Sequence, residues 1–113
     1  MHELSITRNV VAIVAERASG QRIIRVRLEI GRLSSIVPDA IRFCFDLCAQ
    51  DTVVAGAELD IDEIGGRGYC SACDIEVALE APTTRCPQCE MLTLRIVAGQ
   101  EVMIKEMEVE PCA

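Results

Sequence analysis

Cys70-Ser71-Ala72-Cys73, the twelve residues from Asp74 to Arg85, and then Cys86-Pro87-Gln88-Cys89 form the stretch on which the reading of the fold turns. Two residues between thiolates let one tight turn aim both sulfurs at a single ion, and two such turns complete a tetrahedron. The spacing is that of a zinc ribbon or knuckle. All four positions are then thiolate, leaving no place for water or substrate, so a zinc ion there is structural. The competing readings are an iron tetrathiolate of the rubredoxin type and a redox dithiol. A disulfide scaffold is disfavoured, because seven cysteines is an odd count and nothing marks the chain as secreted.

Gly65, Gly66 and Gly68 break the composition just before the first pair. The span 65–99 holds few large apolar residues and cannot build much of a core by itself, a deficit that a structural metal makes good. On either side the pattern is different. From Glu3 to Ser19, Leu4, Thr7, Val11, Val14 and Ala18 recur at three- and four-residue steps, flanked by Ile6, Val10 and Ile13. That is a helix with a broad apolar face, Glu3 in its first turn and Gly20 as its stop. Ile24, Val26, Leu28 and Ile30 alternate with Arg25, Arg27 and Glu29, a half-buried strand ending at Gly31. Pro38 and Asp39 open a second helix to about Gln50, with Ile41, Cys44, Phe45 and Cys48 at helical spacing. Ala57, Leu59 and Ile61 alternate with Glu58, Asp60 and Asp62 in a second strand, and Glu101–Val109 reads as a third. If the cysteine module is an insertion between neighbouring strands, the third strand pairs with the Leu59 strand. The expected architecture is α+β: residues 1–64 plus 100–113 as one domain, and 65–99 as an inserted zinc-ribbon-like module.

Composition narrows the function. The 113 residues suit one compact domain with a small satellite, and 50% hydrophobic with 26% charged residues is globular. With 3% aromatics and no Trp, the core is aliphatic. No apolar run reaches a membrane span of about 20 residues, and Met1-His2-Glu3-Leu4-Ser5 has no signal-peptide pattern. The expectation is a cytoplasmic protein. A net charge of −7 argues against nucleic acid, whose phosphates need a basic surface. No nucleophile–base pair, general-acid pair or phosphate-cradling glycine loop marks an enzyme.

His2 is the only histidine. Beside the terminus it reads either as a solvated residue or as part of a chelate. His2 is too bulky for the usual removal of Met1, so the α-amine belongs to Met1. The Met1 amine, the deprotonated His2 amide and the His2 imidazole can form fused rings around one ion. Glu3 can complete the set through its amide or its carboxylate. Such planar, nitrogen-rich donors suit Ni(II) or Cu(II) and match tetrahedral zinc poorly.

Met1-His2-Glu3-Leu4-Ser5 opening a helix, followed by paired Cys-x-x-Cys motifs, resembles the HypA/HybF family of hydrogenase nickel-insertion proteins. The likeness extends over the chain, through Glu29-Ile30-Gly31, Gly56-Ala57-Glu58-Leu59 and the acidic Glu106-to-Glu110 tail. What the resemblance implies is a nickel site centred on His2 with Glu3 beside it, and a separate structural zinc. It also implies two helices on a three-stranded sheet, with the zinc module inserted before the last strand. The implied role is a metallochaperone that passes nickel to the large subunit of [NiFe] hydrogenase with a HypB-type GTPase. The sequence leaves open a homodimer, exchange of the last strand, service to urease, and coupling between the two metal sites. The rival reading is a zinc-ribbon adaptor in which His2 is incidental.

The remaining chemistry-bearing residues have plainer readings. Cys44 and Cys48 read as small core residues on one helical face, and Cys112 as an unpaired thiol. Met103 and Met107 read as strand packing. Asp60, Asp62 and Glu63 read as a solvated face, as does the Arg25/Arg27 pair.

Overall fold

Helix α1, Glu3–Ala18, buries Thr7, Val10, Val11, Val14 and Ala18. Four of the five stripe residues expected from the sequence are among them, with flanking Val10 also in the core; Leu4 and Ile13 differ, lying at the surface at 40% and 41% exposure. Left-handed Ser19 and Gly20 end the helix, and the Gln21 N–H donates back to the Ala18 carbonyl. A computed structural model describes residues 3–111 of the chain. After α1 come β1 (Ile23–Gly31), α2 (Pro38–Ala49), β2 (Glu58–Ile64), β3 (Gly66–Cys70), β4 (Ile75–Leu79), β5 (Leu94–Ala98) and β6 (Val102–Val109). The chain divides into two compact units. The first comprises the chain up to Glu29, Ile36–Asp62 and the chain from Met103; the second comprises Ile30–Ser35 and Glu63–Val102.

In the first unit, α2 starts at Pro38 and buries Ile41, Phe45 and Ala49. Pro38 suits a first helical position because its missing N–H would have no helical partner there. Cys44 and Cys48 are half-buried on the margin of this stripe, while Phe43 is 71% exposed. The two helices pack with a three-stranded sheet ordered β2-β1-β6. Arg25 pairs with Glu58 (2.9 Å) and Asp60 (3.5 Å), and Arg27 with Asp62 (4.0 Å), so partners climb β1 and β2 together. The two strands are therefore parallel, with α2 as the crossover that parallel neighbours need. The Glu110 N–H donates to the Arg22 carbonyl and the Gly31 N–H to the Glu101 carbonyl, so β6 runs antiparallel to β1.

The last strand thus pairs with β1, not with the Leu59 strand as expected from the sequence. Two physical reasons favour this order. Val26 and Leu28 of β1 are fully buried, whereas no residue of β2 or β6 is, so β1 takes the position flanked on both sides. Charge points the same way. Setting β2, with Glu58, Asp60 and Asp62, beside β6, with Glu106, would put like charges opposite one another. Between them, Arg27 reaches both Asp62 and Glu106 (3.5 Å), and Lys105 reaches Glu29 (3.9 Å). The face read as solvated is exposed and also carries a ladder of ion pairs. Met103, read as packing, is 46% exposed; Met107 is half-buried.

In the second unit the sheet order is β4-β3-β5, antiparallel throughout. The register pairs Gly66 with Leu79 and Cys70 with Ile75 on one side, and Cys70 with Leu94 on the other. Its small core is Leu33, Leu79 and Leu94 with Cys70 and Cys86, supported by Val77 and Ile96. Gly31, Gly66 and Gly99 bring backbones together: a Cβ on Gly31 would lie 2.0 Å from the Gly99 oxygen, and one on Gly99 would lie 2.6 Å from the Gly66 Cα.

Candidate metal centre

Cys70 is the last residue of β3, and the Cys70–Cys73 turn is the hairpin into β4. The Asp74 N–H donates to the Cys70 carbonyl (2.8 Å), and Asp74 takes a left-handed φ of 55° to turn the chain out. The second turn repeats the device. The Glu90 N–H donates to the Cys86 carbonyl (2.8 Å), with φ 62° at Glu90. In each turn a backbone amide also faces the leading sulfur: Cys73 N–H to Cys70 Sγ at 3.3 Å, Gln88 N–H to Cys86 Sγ at 3.4 Å. The ends of the second turn are pinned by Cys86 N–H to the Met91 carbonyl (2.9 Å) and by an Arg85 guanidinium on the Glu90 carbonyl (2.8 Å).

These two turns bring the four sulfurs within 4.8 Å of one another. Cys70 and Cys86 are fully buried, while Cys73 and Cys89 lie at the rim. With metal–sulfur bonds of about 2.3 Å, a thiolate tetrahedron has edges of about 3.8 Å. The Cys70–Cys89 separation is 3.7 Å, which fits such an edge and is far beyond a disulfide bond of about 2.05 Å. The donor set therefore fits one tetrahedral ion. Electrostatics agree. The Thr93 hydroxyl (3.1 Å) and then the Cys73 amide hold the Cys70 thiol down to about 6, while the neighbouring Cys89 sulfur, then burial, pushes Cys73 up to about 12. Cys70 and Cys73 are thus driven apart in their ionisation, as close thiols are when no cation lies between them.

Of the residues expected at the N-terminal site, Met1 and His2 lie outside the described residues, as does Cys112. Glu3 opens α1, and its carboxylate accepts the Val37 N–H (3.1 Å) at the start of α2, where Val37 itself offers no capping side chain. Its carbonyl accepts the buried Thr7 hydroxyl (2.7 Å). Cys44 and Cys48 belong to no group of three or more metal-ligating side chains among the described residues. Cysteine spacing gave no notice of Leu33, which enters the module's core from the loop after β1, or of Thr93, which reaches Cys70 across the β3–β5 pairing. The only signal for Thr93 was a β-branched hydroxyl residue just ahead of a strand.

Fold and centre together define a small α+β protein with a closed four-thiolate site able to hold a metal. Residues 1–109 match the family described as "Hydrogenase/urease nickel incorporation, metallochaperone, hypA". The chain belongs to that family. Among its relatives, the hydrogenase maturation factor HypA of Crocosphaera subtropica is 54% identical over 110 residues, covering 97% of this chain and 96% of its own. That of Geobacter metallireducens is 47% identical, covering 97% and 100%. Two solved structures share the fold. The solution structure of the Ni metallochaperone HypA from Helicobacter pylori superposes with a TM-score of 0.68 at 24% identity, over 96% of this chain and 97% of that one. A second HypA solution structure gives 0.70 at 26% identity, over 97% of each.

Proposed function

We propose that the chain carries Ni(II) on its N-terminus, through the Met1 amine, the His2 amide and imidazole and a Glu3 donor, and holds zinc on Cys70, Cys73, Cys86 and Cys89. Within the cytoplasm it hands the nickel to the large subunit of [NiFe] hydrogenase, working with a HypB-type GTPase. It is a binding protein without catalytic turnover. The observation that carries this reading is the closed thiolate centre. Four sulfurs converge on one point, two of them fully buried, and a complete tetrahedron has no position through which cargo could pass. A delivery site needs donors that let go, and the single histidine, at position 2, is far in sequence from the four cysteines. The match of residues 1–109 to a nickel-incorporation family supports the same division of labour.

Calorimetric titration of the zinc-loaded protein with Ni(II) tests the reading. The natural chain is expected to take one equivalent. His2→Ala is expected to bind at least tenfold more weakly, a loss of about 1.4 kcal/mol or more. Equal affinity in the two proteins overturns the N-terminal assignment.

A further inference from the structure

We infer that Thr93 is a positioning residue of the thiolate centre, whose hydroxyl donates to the Cys70 sulfur and slows loss of the bound metal. The inference rests on the reading that the four cysteines hold zinc, and it goes beyond the ligands themselves. A zinc ion with four thiolates carries a net charge of −2, and here two of the sulfurs are fully buried. Such a buried anion needs donors around it. Two are backbone amides, of Cys73 and Gln88, supplied by any knuckle of this shape. The third is the Thr93 hydroxyl at 3.1 Å from Cys70 Sγ, a shorter contact than either amide makes. A metal-bound thiolate has no proton, so the hydroxyl must be the donor.

The placement is built into the sheet. Leu94 opens β5 opposite Cys70, and the Thr93 carbonyl accepts the Ser71 N–H (3.3 Å), which fixes the Thr93 backbone beside the first knuckle. The Leu94 N–H in turn donates to the Thr84 carbonyl (3.0 Å), just before the second knuckle. The Thr93 backbone is thus tied to the first metal-binding turn, and its neighbour Leu94 to the segment leading into the second, while the Thr93 hydroxyl rests on a sulfur. Outer-shell donors of this kind orient the ligand and change metal retention by about 10- to 100-fold.

The test compares the full-length zinc-loaded protein with Thr93→Val, Thr93→Ala and Thr93→Ser. The first readout is the rate at which zinc passes to a coloured chelator at neutral pH. Valine keeps the shape and alanine removes it, and both are expected to release zinc at least about tenfold faster. Serine restores the hydroxyl and is expected to stay near the natural rate. The second readout is the sulfur-to-metal charge-transfer absorption of the Co(II)-substituted proteins. Losing the hydroxyl raises the energy of the sulfur electrons, so the band moves to lower energy in the valine and alanine variants and returns with serine. Unchanged release and an unmoved band in the valine and alanine variants overturn the inference. So does a serine variant as leaky as valine, which would make the role one of packing. A natural protein that takes up neither zinc nor cobalt removes the metal reading itself, and is distinguished by failing before any variant is compared.

Discussion

Cys73→Ala is expected to leave the protein without a stoichiometric zinc ion and to unfold the second unit while the first survives. The second unit has little else to hold it. Around the centre its buried apolar side chains are Leu33, Leu79 and Leu94, with Val77 and Ile96 partly covered and the two fully buried cysteines completing the cluster; Ile30, at the end of β1, is its other buried aliphatic residue. Burying a leucine is worth about 1.5–3 kcal/mol, whereas a structural zinc supplies about 10–16 kcal/mol at neutral pH. Removing one thiolate opens the tetrahedron, weakens the ion and takes most of that energy with it. The first unit keeps a core of its own, from Val14, Val26, Leu28, Ile41 and Phe45, and needs no metal. Hydrogen exchange followed peptide by peptide separates the two. Amides of β3, β4 and β5 are expected to lose protection, while those of α1 and α2 keep it. Stripping zinc from the natural protein with a chelator is expected to give the same pattern. A Cys73→Ala protein with a full zinc equivalent and native resistance to proteolysis would contradict the assignment of the centre.

Gly31→Ala is expected to cost about 3 kcal/mol or more, although it adds one methyl group far in sequence from the four clustered cysteines. A Cβ at Gly31 would meet the carbonyl oxygen of Gly99 at 2.0 Å and its carbon at 2.2 Å. Both are backbone atoms, so no rotamer change relieves the overlap. The same stretch carries a set of backbone bonds: Leu33 N–H to the Gly99 carbonyl (2.7 Å), Gly31 N–H to that of Glu101 (2.8 Å) and Arg32 N–H to that of Ile64 (2.8 Å). Pushing Gly99 away strains these together. Gly65→Ala serves as the control, because a Cβ there meets nothing within 4 Å. Thermal denaturation of the zinc-loaded proteins is expected to show a fall of about 10 °C or more for Gly31→Ala and little change for Gly65→Ala. Equal melting temperatures for Gly31→Ala and the natural protein would show that the close approach is not obligatory.

How much of this could be read from the sequence depends on what kind of information each feature carries. The cysteine spacing announced a four-ligand site because metal geometry leaves few ways to arrange two such pairs, and the four sulfurs do converge. Helix limits were legible for a similar reason: Pro38 and Gly20 act locally, and the helices begin and end beside them. The fold class followed, two helices with a three-stranded sheet and a separate cysteine-bearing module. Strand order did not. Periodicity tells which face of a strand is buried but is silent about its neighbours, so proximity in sequence wrongly suggested β2 as the partner of β6. The charges held the better clue, since Arg25 and Arg27 on β1 lie between two acidic strands. The buried face of α1 was legible in Thr7, Val11, Val14 and Ala18, but its margins were not, because Leu4 and Ile13 are as apolar as the residues that are buried. Leu33, Thr93 and the Gly31–Gly99 contact depend on long-range register, which no local pattern encodes.

One division of labour connects these features. On the function proposed above, the thiolate centre stabilises the second unit and is closed to exchange, while the cargo sits on the nitrogen donors of Met1 and His2. X-ray absorption at the zinc and nickel edges of one doubly loaded sample tests this most directly. The account predicts four sulfur neighbours at about 2.3 Å around zinc. It predicts only nitrogen and oxygen neighbours around nickel, with an imidazole contribution that disappears in His2→Ala. Sulfur scattering at the nickel edge, or a nickel spectrum unchanged by His2→Ala, would contradict it.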